Sequence, residues 1–242
     1  MSGRGRPAEG VGYTPRVTRP GAPARGHFIA IEGPDGAGKT TQASALAGHL
    51  RAIGVDVLMT REPGGTRLGE RLRGVLMART PSDAPNDPLT DALLFNAARR
   101  QLVTEVIRPA LGSGRTVLCA RFADSTLAYQ GFGGGVSLER LLTIEAVATD
   151  GLKPDLTIVL DLPAEEGLAR KGSDDLTRFE TEFDLAFHQR VRAGFLALAA
   201  AEPQRFAIVD ASRPAEEVAS ALAAIADELL GRGEPERAPM RT

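Results

Sequence analysis

Lysine and cysteine are both scarce in this chain of 242 residues. Lys39, Lys153 and Lys171 are its only lysines, so nearly all of its basic charge comes from arginine. A lysine that stands at a motif position therefore carries more weight than it would in an ordinary composition. Cys119 is the single cysteine, which excludes an internal disulfide and is compatible with a reducing compartment.

Long apolar runs and an excess of charge of one sign are missing as well. No stretch approaches the roughly 20 apolar residues that a membrane-spanning helix needs, and the N-terminus lacks the apolar core of a signal peptide. The formal net charge of −2 gives no sign of a nucleic-acid or membrane partner. With 43% hydrophobic and 25% charged residues, the chain has the balance of a soluble globular protein, which we expect in the cytoplasm.

The two ends of the chain differ from the rest in composition. Residues 1–26 contain six Gly, four Pro and five Arg and show no apolar periodicity. Such a segment cannot bury enough apolar surface to offset the entropy that ordering costs, so we predict a disordered tail. Residues 231–242 give the same prediction, which leaves one folded domain over residues 27–230. An arm that binds an anionic partner is the alternative for the N-terminal tail.

Strand and helix patterns alternate between these tails. Short apolar runs predict five strands, at His27–Glu32, Val55–Thr60, Thr116–Ala120, Leu156–Leu162 and Arg205–Val209. Helical spacing predicts helices over Thr40–Ile53, Leu68–Met77, Leu89–Leu111, Leu138–Ala148, Phe183–Ala201 and Ala215–Leu230. Strands separated by helices, with right-handed crossovers, give a parallel sheet between two helical layers. We therefore predict a three-layer α/β fold with a five-stranded parallel sheet and helices on both faces.

The strongest local signal is GPDGAGKT at Gly33–Thr40, which matches the phosphate-binding pattern G-x-x-x-x-G-K-[ST]. Its glycines let backbone N–H groups turn toward phosphate oxygens, and the helix that follows adds the positive end of its dipole. We expect Lys39 to reach the β- and γ-phosphates of ATP and Thr40 to ligate Mg²⁺. The predicted ATP-binding residues are Gly33, Pro34, Asp35, Gly36, Ala37, Gly38, Lys39, Thr40 and Thr41.

This loop establishes binding of a nucleoside triphosphate but not an activity, because GTPases, ATPases, motor proteins and small-molecule kinases all share it. The chain has no NKxD signature of guanine specificity, which disfavours a GTPase, and it is too short for a motor protein.

Three further motifs narrow the class. TREPGGT at Thr60–Thr66 ends the second predicted strand, and RFADSTLAYQG at Arg121–Gly131 directly follows the third. Ligands bind at the C-terminal ends of parallel strands, so both segments belong to a candidate site. FNAAR places Phe95 and Arg99 on one helix face, where the ring can stack on a base and the guanidinium can donate to a carbonyl oxygen. The alternative for this pair is a core phenylalanine beside a solvated arginine.

The order of these motifs resembles that of bacterial thymidylate kinases. The resemblance is carried by GPDGAGKTTQ, TREPGGT, LRGVL, LLFNAARRQ, RFADSTLAYQG, PDLTIVLDL, TRFE and FHQRVRAGF, which together cover essentially all of residues 27–230. It implies the P-loop NTPase fold, usually as a homodimer, and transfer of a phosphoryl group from ATP to dTMP with Mg²⁺, as a step of dTTP synthesis. The alternatives are a kinase of another small acceptor and a nucleotide-binding regulator with weakened catalysis.

The resemblance also implies a role for each matching residue. Asp35 and Glu62 would lie near the sugar hydroxyl of dTMP, and Arg73 and Arg121 would hold its phosphate. The base and sugar pocket would be formed by Phe95 stacking on thymine, Arg99 bonding its carbonyl, Ser125, Gln130 and Tyr129, the last crowding a ribose 2′-hydroxyl. The implied catalytic residues are Lys39, Arg121, Arg170 and Arg178.

A mobile lid over Arg170–Arg178 and an adenine-proximal segment at Asp210–Arg213 follow from the same resemblance. Two departures concern acids that the family carries near the metal and phosphates. Ala120 stands where an aspartate is usual before the arginine, and Thr177 stands where an acid usually precedes the lid arginine. The candidate replacement acids are Asp161, Asp174, Asp175 and Glu180.

Overall fold

A computed structural model describes residues 25–78, 86–171 and 177–231 of the chain. Five strands within these ranges form one parallel sheet in the order β2-β3-β1-β4-β5. They are β1 (Phe28–Glu32), β2 (Val57–Arg61), β3 (Thr116–Ala120), β4 (Leu156–Asp161) and β5 (Phe206–Asp210). Every residue of β1 and β3 is buried, as expected for central strands that are covered on both faces.

The helices connect these strands and cover both faces of the sheet. They are α1 (Lys39–Ala52), α2 (Arg67–Met77), α3 (Pro88–Leu102), α4 (Arg108–Gly112), α5 (Ala123–Thr126), α6 (Leu138–Thr149), α7 (Ala164–Ala169), α8 (Arg178–Glu182), α9 (Leu185–Ala201) and α10 (Ala215–Leu229). Two π-helical segments continue α3 and α5, at Val103–Ile107 and Leu127–Gly133 respectively. The predicted three-layer α/β fold class is confirmed. None of the helices in the described ranges has the length and apolar character needed to cross a membrane.

Alternating side chains of β1 divide the core between the two helical layers. Ile29 and Ile31 pack with residues of α1 and α10 on one face of the sheet. Phe28 and Ala30 pack with residues of α3, its π-helical continuation and α4 on the other face. The period of two along the strand thus anchors a helical layer on each side.

The parallel register brings three loops to the same edge of the sheet. Ile31 of β1 lies opposite Ala120 of β3, and Arg61 of β2 lies opposite the same alanine. The loops that follow these three strands therefore leave side by side. They carry the phosphate-binding motif, the TREPGGT motif and the RFADSTLAYQG motif, so strand pairing alone assembles most of the predicted site.

The predicted helix over Leu89–Leu111 is continuous in space but changes pitch. It consists of α3, the π-helical segment Val103–Ile107 and α4, whose first turn contains Pro109. Proline has no N–H and its ring collides with the carbonyl group four residues earlier, so a regular α-helix cannot continue through it. The wider hydrogen bonding of the π segment accommodates this break.

A helix boundary and an unpredicted helical segment also differ from the sequence predictions. The predicted helix over Phe183–Ala201 begins two residues later, because the Asp184 carboxylate accepts the N–H of Phe187 at 2.8 Å and starts α9 at Leu185. Residues Ala123–Gly133, for which no helix was predicted, form α5 and its π-helical continuation.

The two predicted tails lie mostly outside the described residues. Arg25 and Gly26, from the predicted N-terminal tail, are described. The Arg25 guanidinium donates to the Asp155 carboxylate at 2.9 Å, and the Gly26 N–H donates to the carbonyl oxygen of Leu111 at 3.0 Å. Gly231 is the one described residue of the predicted C-terminal tail. Within the predicted lid, residues 172–176, which include Asp174 and Asp175, lie outside the described ranges.

A buried ion pair ties α8, which follows the predicted lid, to α2 and α3. The Arg178 guanidinium donates to the Asp91 carboxylate at 2.5 Å and to the carbonyl oxygen of Leu76 at 2.5 Å. The side chains of Arg178 and Asp91 are 3% and 2% exposed. Asp91 also accepts the side-chain amide of Asn86 at 3.0 Å, which completes a small polar network inside an apolar region.

We expect Asp91→Ala to lower the free energy of unfolding by about 3–5 kcal/mol, because it leaves the Arg178 charge buried without its partner. Lys153→Ala is the matched control, since it breaks an ion pair with Glu202 whose side chains are 55% and 42% exposed. That change should cost about 1 kcal/mol or less. Equal costs for the two variants in urea unfolding would contradict a structural role for the buried pair.

Candidate active site

The phosphate-binding loop joins β1 to α1 and depends on glycine at two close approaches. Gly33 has φ 137° and Gly36 has φ 76°, both in the region that side chains disfavour. A Cβ atom at Gly33 would lie 2.4 Å from the carbonyl oxygen of Leu160, and one at Gly36 would lie 2.0 Å from that of Gly167. The loop can therefore pack against β4 and α7 only because these positions lack a side chain.

Lys39 is the first residue of α1 and folds back over this loop. Its Nζ atom donates to the carbonyl oxygens of Gly33 at 2.9 Å and Pro34 at 2.6 Å. Burial, and then the nearby Arg121 charge, lower the pKa of Lys39 to about 7. The first turn of α1 contains no acidic residue, so its N–H groups and positive dipole end face no competing side-chain anion there. This arrangement favours the binding of an anion with several oxygen atoms, because the anion would raise the lowered pKa of Lys39 and keep its side chain positively charged.

A cavity of about 560 Å³ opens beside the loop and gathers most of the predicted site residues. Those that line it are Asp35, Gly36, Gly38, Lys39, Thr40, Thr41, Glu62, Arg73, Phe95, Arg99, Arg121, Ser125, Tyr129, Gln130 and Arg170. The predicted residues that do not line it are Gly33, Pro34, Ala37 and Arg178. Gly33, Pro34 and Ala37 belong to the phosphate-binding loop without lining the cavity. Arg178 belongs to the buried network with Asp91 described above.

Asp35 lies at the centre of the cavity wall and is bonded to Arg121 and Tyr129. The guanidinium of Arg121 pairs with Oδ1 of Asp35, and the Tyr129 hydroxyl donates to Oδ2 at 2.7 Å. Arg121 also donates to the Tyr129 hydroxyl at 3.3 Å, and its guanidinium lies 5.0 Å from the centre of the tyrosine ring. Burial alone would raise the pKa of Asp35, but Arg121, Lys39 and Lys171 together hold it well below its ordinary value. Asp35 is therefore ionised, and its negative charge partly neutralises the positive charges of Arg121, Lys39 and Lys171.

Arg99 also lines the cavity, and most of its N–H groups are bonded by the protein. Nε donates to Glu62 at 2.8 Å, one N–H of NH1 donates to Asn96 at 3.0 Å, and NH2 donates to the Phe122 carbonyl oxygen and the Thr126 hydroxyl, each at 3.1 Å. These bonds use four of the five N–H groups of the guanidinium, one from Nε, one from NH1 and two from NH2. Among the described residues, the second N–H group of NH1 has no hydrogen-bond acceptor, so it is available to a ligand oxygen.

Glu62, predicted near a sugar hydroxyl, has its carboxylate paired with Arg99 in the structure. Its side chain is 3% exposed, and one carboxylate oxygen lies 2.7 Å from the guanidinium of Arg99. Desolvation raises the pKa of Glu62, and the neighbouring Arg99 opposes that rise. The contact of Glu62 with a sugar remains a prediction, whereas its pairing with Arg99 fixes the polar end of the cavity.

Arg73 and Arg170 face the cavity from opposite sides with partly exposed guanidinium groups. Arg73 donates to the carbonyl oxygen of Pro63 at 3.1 Å, which directs it along the TREPGGT loop. Arg170 donates to the carbonyl oxygen of Ala211 at 3.0 Å, inside the segment predicted to lie near adenine. Both side chains are therefore tethered by the backbone and positioned for anionic ligand atoms.

Arg178 does not reach the cavity, contrary to the expectation that it contacts the transferred phosphoryl group. Its guanidinium points inward to Asp91 and Leu76, because a buried carboxylate and a backbone oxygen satisfy it there. The adjacent residues Thr177 and Phe179 line the cavity instead. Adjacent side chains at the end of the predicted lid therefore point in different directions. Thr177 and Phe179 face the cavity, whereas Arg178 faces Asp91.

Phe179 and Thr126 are cavity residues that sequence reasoning left out of the site. The Phe179 ring centre lies 6.1 Å from that of Phe95 and 5.9 Å from that of Tyr129. A signal was present, since Phe179, Phe183 and Phe187 recur every four residues and stack in succession in the structure. Thr126 belongs to the RFADSTLAYQG motif, and its hydroxyl accepts from Arg99 while it lines the cavity.

The donors present fit a Mg²⁺ ion that arrives with a nucleotide. The described residues contain no group of three or more His, Cys, Asp or Glu side chains that could hold a metal by themselves. Thr40 is the second residue of α1 and lines the cavity, whereas the strand position that often supplies a carboxylate in P-loop enzymes is Ala120. Mg²⁺ commonly keeps several waters and binds substrate phosphates, so one hydroxyl beside those phosphates suits it. The candidate replacement acid Asp161 is paired with Arg192, at 2.7 Å and 2.8 Å.

Comparison with known proteins agrees with this geometry. A family model described as thymidylate kinase matches residues 31–222. A thymidylate kinase of Deinococcus radiodurans is 53% identical over 208 residues, which cover 85% of this chain and 98% of that protein. One of Pseudomonas fluorescens is 51% identical over 208 residues, which cover 86% of this chain and 98% of that protein. The crystal structure of a thymidylate kinase from Ehrlichia chaffeensis superposes with a TM-score of 0.65 at 32% identity, covering 85% of this chain and 99% of that one.

We expect Phe179→Leu to weaken the binding of dTMP, the acceptor implied by the motifs, by roughly 3- to 10-fold, because an aromatic wall of the cavity is lost. Phe183→Leu is the matched control, since its ring stacks on Phe179 at 5.8 Å but does not line the cavity. It should lower the melting temperature without weakening binding. Titration calorimetry checks both variants, and equal losses of affinity would show that only the packing of the phenylalanine row matters.

Proposed function

The chain belongs to the thymidylate kinase family, and on that basis we propose that it transfers the γ-phosphoryl group of ATP to dTMP, producing ADP and dTDP. The observation that supports this most directly is the shared cavity. The phosphate-binding loop, with Lys39 and Thr40, and the cluster of Asp35, Arg121 and Tyr129 line one space of about 560 Å³. A phosphate donor and a nucleotide acceptor can therefore meet with their phosphates between two groups of cations.

On the donor side, the loop binds the ATP phosphates with its backbone N–H groups and with Lys39. The lysine exchanges its bonds to the carbonyl oxygens of Gly33 and Pro34 for phosphate oxygens, which raises its lowered pKa and holds the charge. Thr40 would hold Mg²⁺ beside the bound phosphates, and the ion would supply further neutralisation of their negative charge. Stabilising the negative charge that develops in the transition state is usually the largest single contribution of such a site to catalysis.

On the acceptor side, Arg73 and Arg121 hold the dTMP phosphate. An oxygen of that phosphate attacks the γ-phosphorus in line, a new P–O bond forms, and the bond to the β-phosphate oxygen breaks with its electron pair leaving on ADP. The attacking oxygen is already anionic, so the step needs no general base. Asp35 keeps Arg121 in place by its ion pair, and Arg170 supports the developing charge from the start of the lid.

The part of the cavity that is lined by Phe95, Phe179 and Arg99 suits a pyrimidine base. Phe95 and Phe179 provide aromatic surface, and the last N–H group of Arg99 can donate to a ring carbonyl. Tyr129 and Gln130 come from the π-helical segment beside the sugar position, where the tyrosine would crowd a 2′-hydroxyl. These features favour a deoxyribonucleotide with a carbonyl where cytosine carries an amino group.

We also propose a homodimer in the cytoplasm. The packed helices α3 and α6 present Leu93, Leu142 and Val147 outward, with 50%, 49% and 73% of each residue exposed. A second copy that covers this apolar surface would remove it from water. ATP and nucleoside monophosphates are cytoplasmic metabolites, which supports the location.

The two alternative functions are less well supported. A regulator with weakened catalysis rests on Ala120 and Thr177, the positions that lack the usual acids. A kinase of another acceptor would need a different pocket, whereas identity above half with the relatives extends over nearly their whole length. Neither alternative explains the complete cavity better than dTMP phosphorylation does.

We expect dTMP to be the best acceptor, followed by dUMP, with dCMP far behind. The thymine methyl group is worth only about 1–3 kcal/mol, whereas the cytosine amino group presents a donor to the donor Arg99. Coupled ADP-release assays with Mg²⁺ and each monophosphate test this order. Lys39→Ala is the control, and it should abolish turnover while the melting temperature stays close to that of the wild type. A purine monophosphate with the highest kcat/KM would contradict the assignment of the pocket.

We expect Ala120→Asp to raise kcat by about 10-fold and to change the KM for dTMP less, because a carboxylate here can orient groups around the metal. Ala120 and Thr40 both line a second cavity of about 270 Å³, which gives the new side chain room. The variant should also reach half-maximal rate at lower Mg²⁺ concentration. An unchanged or lower kcat at saturating Mg²⁺, in a folded variant, would show that the site functions around the alanine.

A further inference from the structure

Glu32 is the last residue of β1 and directly precedes the phosphate-binding loop, but it does not line the cavity. Its side chain is fully buried, and its carboxylate bonds to the loop that follows β3. Oε1 accepts the N–H of Phe122 at 2.7 Å and the N–H of Ser125 at 3.2 Å, and Oε2 accepts the hydroxyl of Ser125 at 2.6 Å. A carboxylate has about four acceptor positions, so a single loop fills most of them.

That loop carries Arg121 in a backbone conformation that needs support. Arg121 has φ 67°, in the left-handed region that is unfavourable for a side chain of this size. Its own N–H donates to the carbonyl oxygen of Ile31 at 2.9 Å, and the next N–H along the chain, from Phe122, is the one that Glu32 accepts. Consecutive residues of β1 thus hold the backbone N–H groups of Arg121 and Phe122.

The Arg121 side chain is linked to Glu32 as well. Its NH1 group donates to the Ser125 hydroxyl oxygen at 3.4 Å, and that hydroxyl donates its own proton to Glu32. The bond to Glu32 turns the Ser125 proton away from the guanidinium and leaves the oxygen lone pairs to Arg121. The backbone N–H that follows Arg121 and the Ser125 hydroxyl that its guanidinium contacts are therefore both held by one buried carboxylate.

We propose that Glu32 is a positioning residue for phosphoryl transfer, whose carboxylate holds the loop and the Ser125 hydroxyl that orient Arg121 toward the acceptor phosphate. This inference rests on the proposed function, in which Arg121 binds that phosphate. It also identifies a buried acid that supports Arg121 in a chain whose third strand ends in Ala120 rather than in a carboxylate.

The surroundings of Glu32 make its charge sensitive to pH near neutrality. Burial, and then the Asp124 charge, raise the pKa of Glu32 to about 7, while Ser125, the Phe122 N–H and Arg121 oppose the rise. The other ionisable groups that interact with it are Lys39, Arg99 and Cys119. A protonated Glu32 can donate to the Ser125 oxygen and compete with Arg121 for its lone pairs. The ionised form is therefore the one that orients Arg121, and its share grows as pH rises.

The test compares Glu32→Gln with the wild type in the coupled assay between about pH 6 and pH 8.5. The glutamine keeps an acceptor for the two backbone N–H groups but always donates to Ser125, as a protonated glutamate would. We expect kcat to fall by roughly 10-fold at the alkaline end, with the KM for ATP nearly unchanged. The ratio of wild-type to variant kcat should shrink toward acid pH, because the wild type then acquires the same proton. Taking this ratio cancels the ionisation of the substrates, which is common to both proteins.

Asp124→Asn is the matched control for lost charge and lost stability in the same loop. The Asp124 carboxylate bonds to Thr157 at 3.2 Å and to Arg205 at 2.8 Å, and it does not line the cavity. This variant should melt at a lower temperature but keep the wild-type kcat at the alkaline end, and its kcat should fall less than that of the wild type toward acid pH, because the Asp124 charge no longer raises the pKa of Glu32. If Glu32→Gln does not fold, Ser125→Ala supplies the measurement, because it keeps Glu32 and removes the hydroxyl that links Glu32 to Arg121. The ratio of the wild-type kcat to that of Ser125→Ala should also depend on pH.

The outcomes separate the inference from the proposed function. A wild-type chain with no turnover of ATP and dTMP contradicts the function itself. An active wild type whose kcat ratio to Glu32→Gln is small, or independent of pH, contradicts the positioning role alone. A fall in kcat of the same size in Asp124→Asn would likewise reduce Glu32 to a structural residue.

Discussion

The site depends above all on the ion pair between Asp35 and Arg121. It joins the loop after β1 to the loop after β3, and it sets one carboxylate among cations that would otherwise repel each other. Lys171 lies 3.9 Å from the same carboxylate, which extends the charge balance to the start of the lid. Incoming phosphates therefore compete with Asp35 for cations that are already in position, so little reorganisation is needed when they bind.

Two further buried ion pairs, Arg99–Glu62 and Arg178–Asp91, hold the walls of the cavity rather than its centre. Removing charges from water costs about as much as such pairs return, so their net contribution to stability is small. The two ion pairs instead fix the orientation of the side chains and helices that form the cavity. Arg99 is held with one N–H group to spare, and Arg178 fixes the helix that carries Phe179. Polar groups thus shape the part of the cavity that also carries the rings of Phe95 and Phe179.

The sequence predicted those parts of the molecule that follow from local patterns. The phosphate-binding loop, β3 over Thr116–Ala120 and the alternation of strands and helices each depend on neighbours in the chain. The parallel register then placed the motif residues together without further information. What the sequence could not predict is which of two adjacent side chains turns inward. Arg178 points away from the cavity and Phe179 lines it, because Asp91, distant in sequence, provides Arg178 with a buried partner only in the folded state. Glu32 escaped notice for the same reason.

The π-helical segment Leu127–Gly133 carries Tyr129 and Gln130 to the cavity. A π-helix differs from an α-helix by about one extra residue in the turn, and each residue of an α-helix advances about 100° around its axis. Loss of a single residue here would let the segment relax into an α-helix and swing one side chain away from Asp35 or Arg121. In evolutionary terms, this stretch tolerates exchange of residues more readily than a change in length. Insertions and deletions among descendants of this chain should be sparse between Ala123 and Gly133, even where substitutions accumulate.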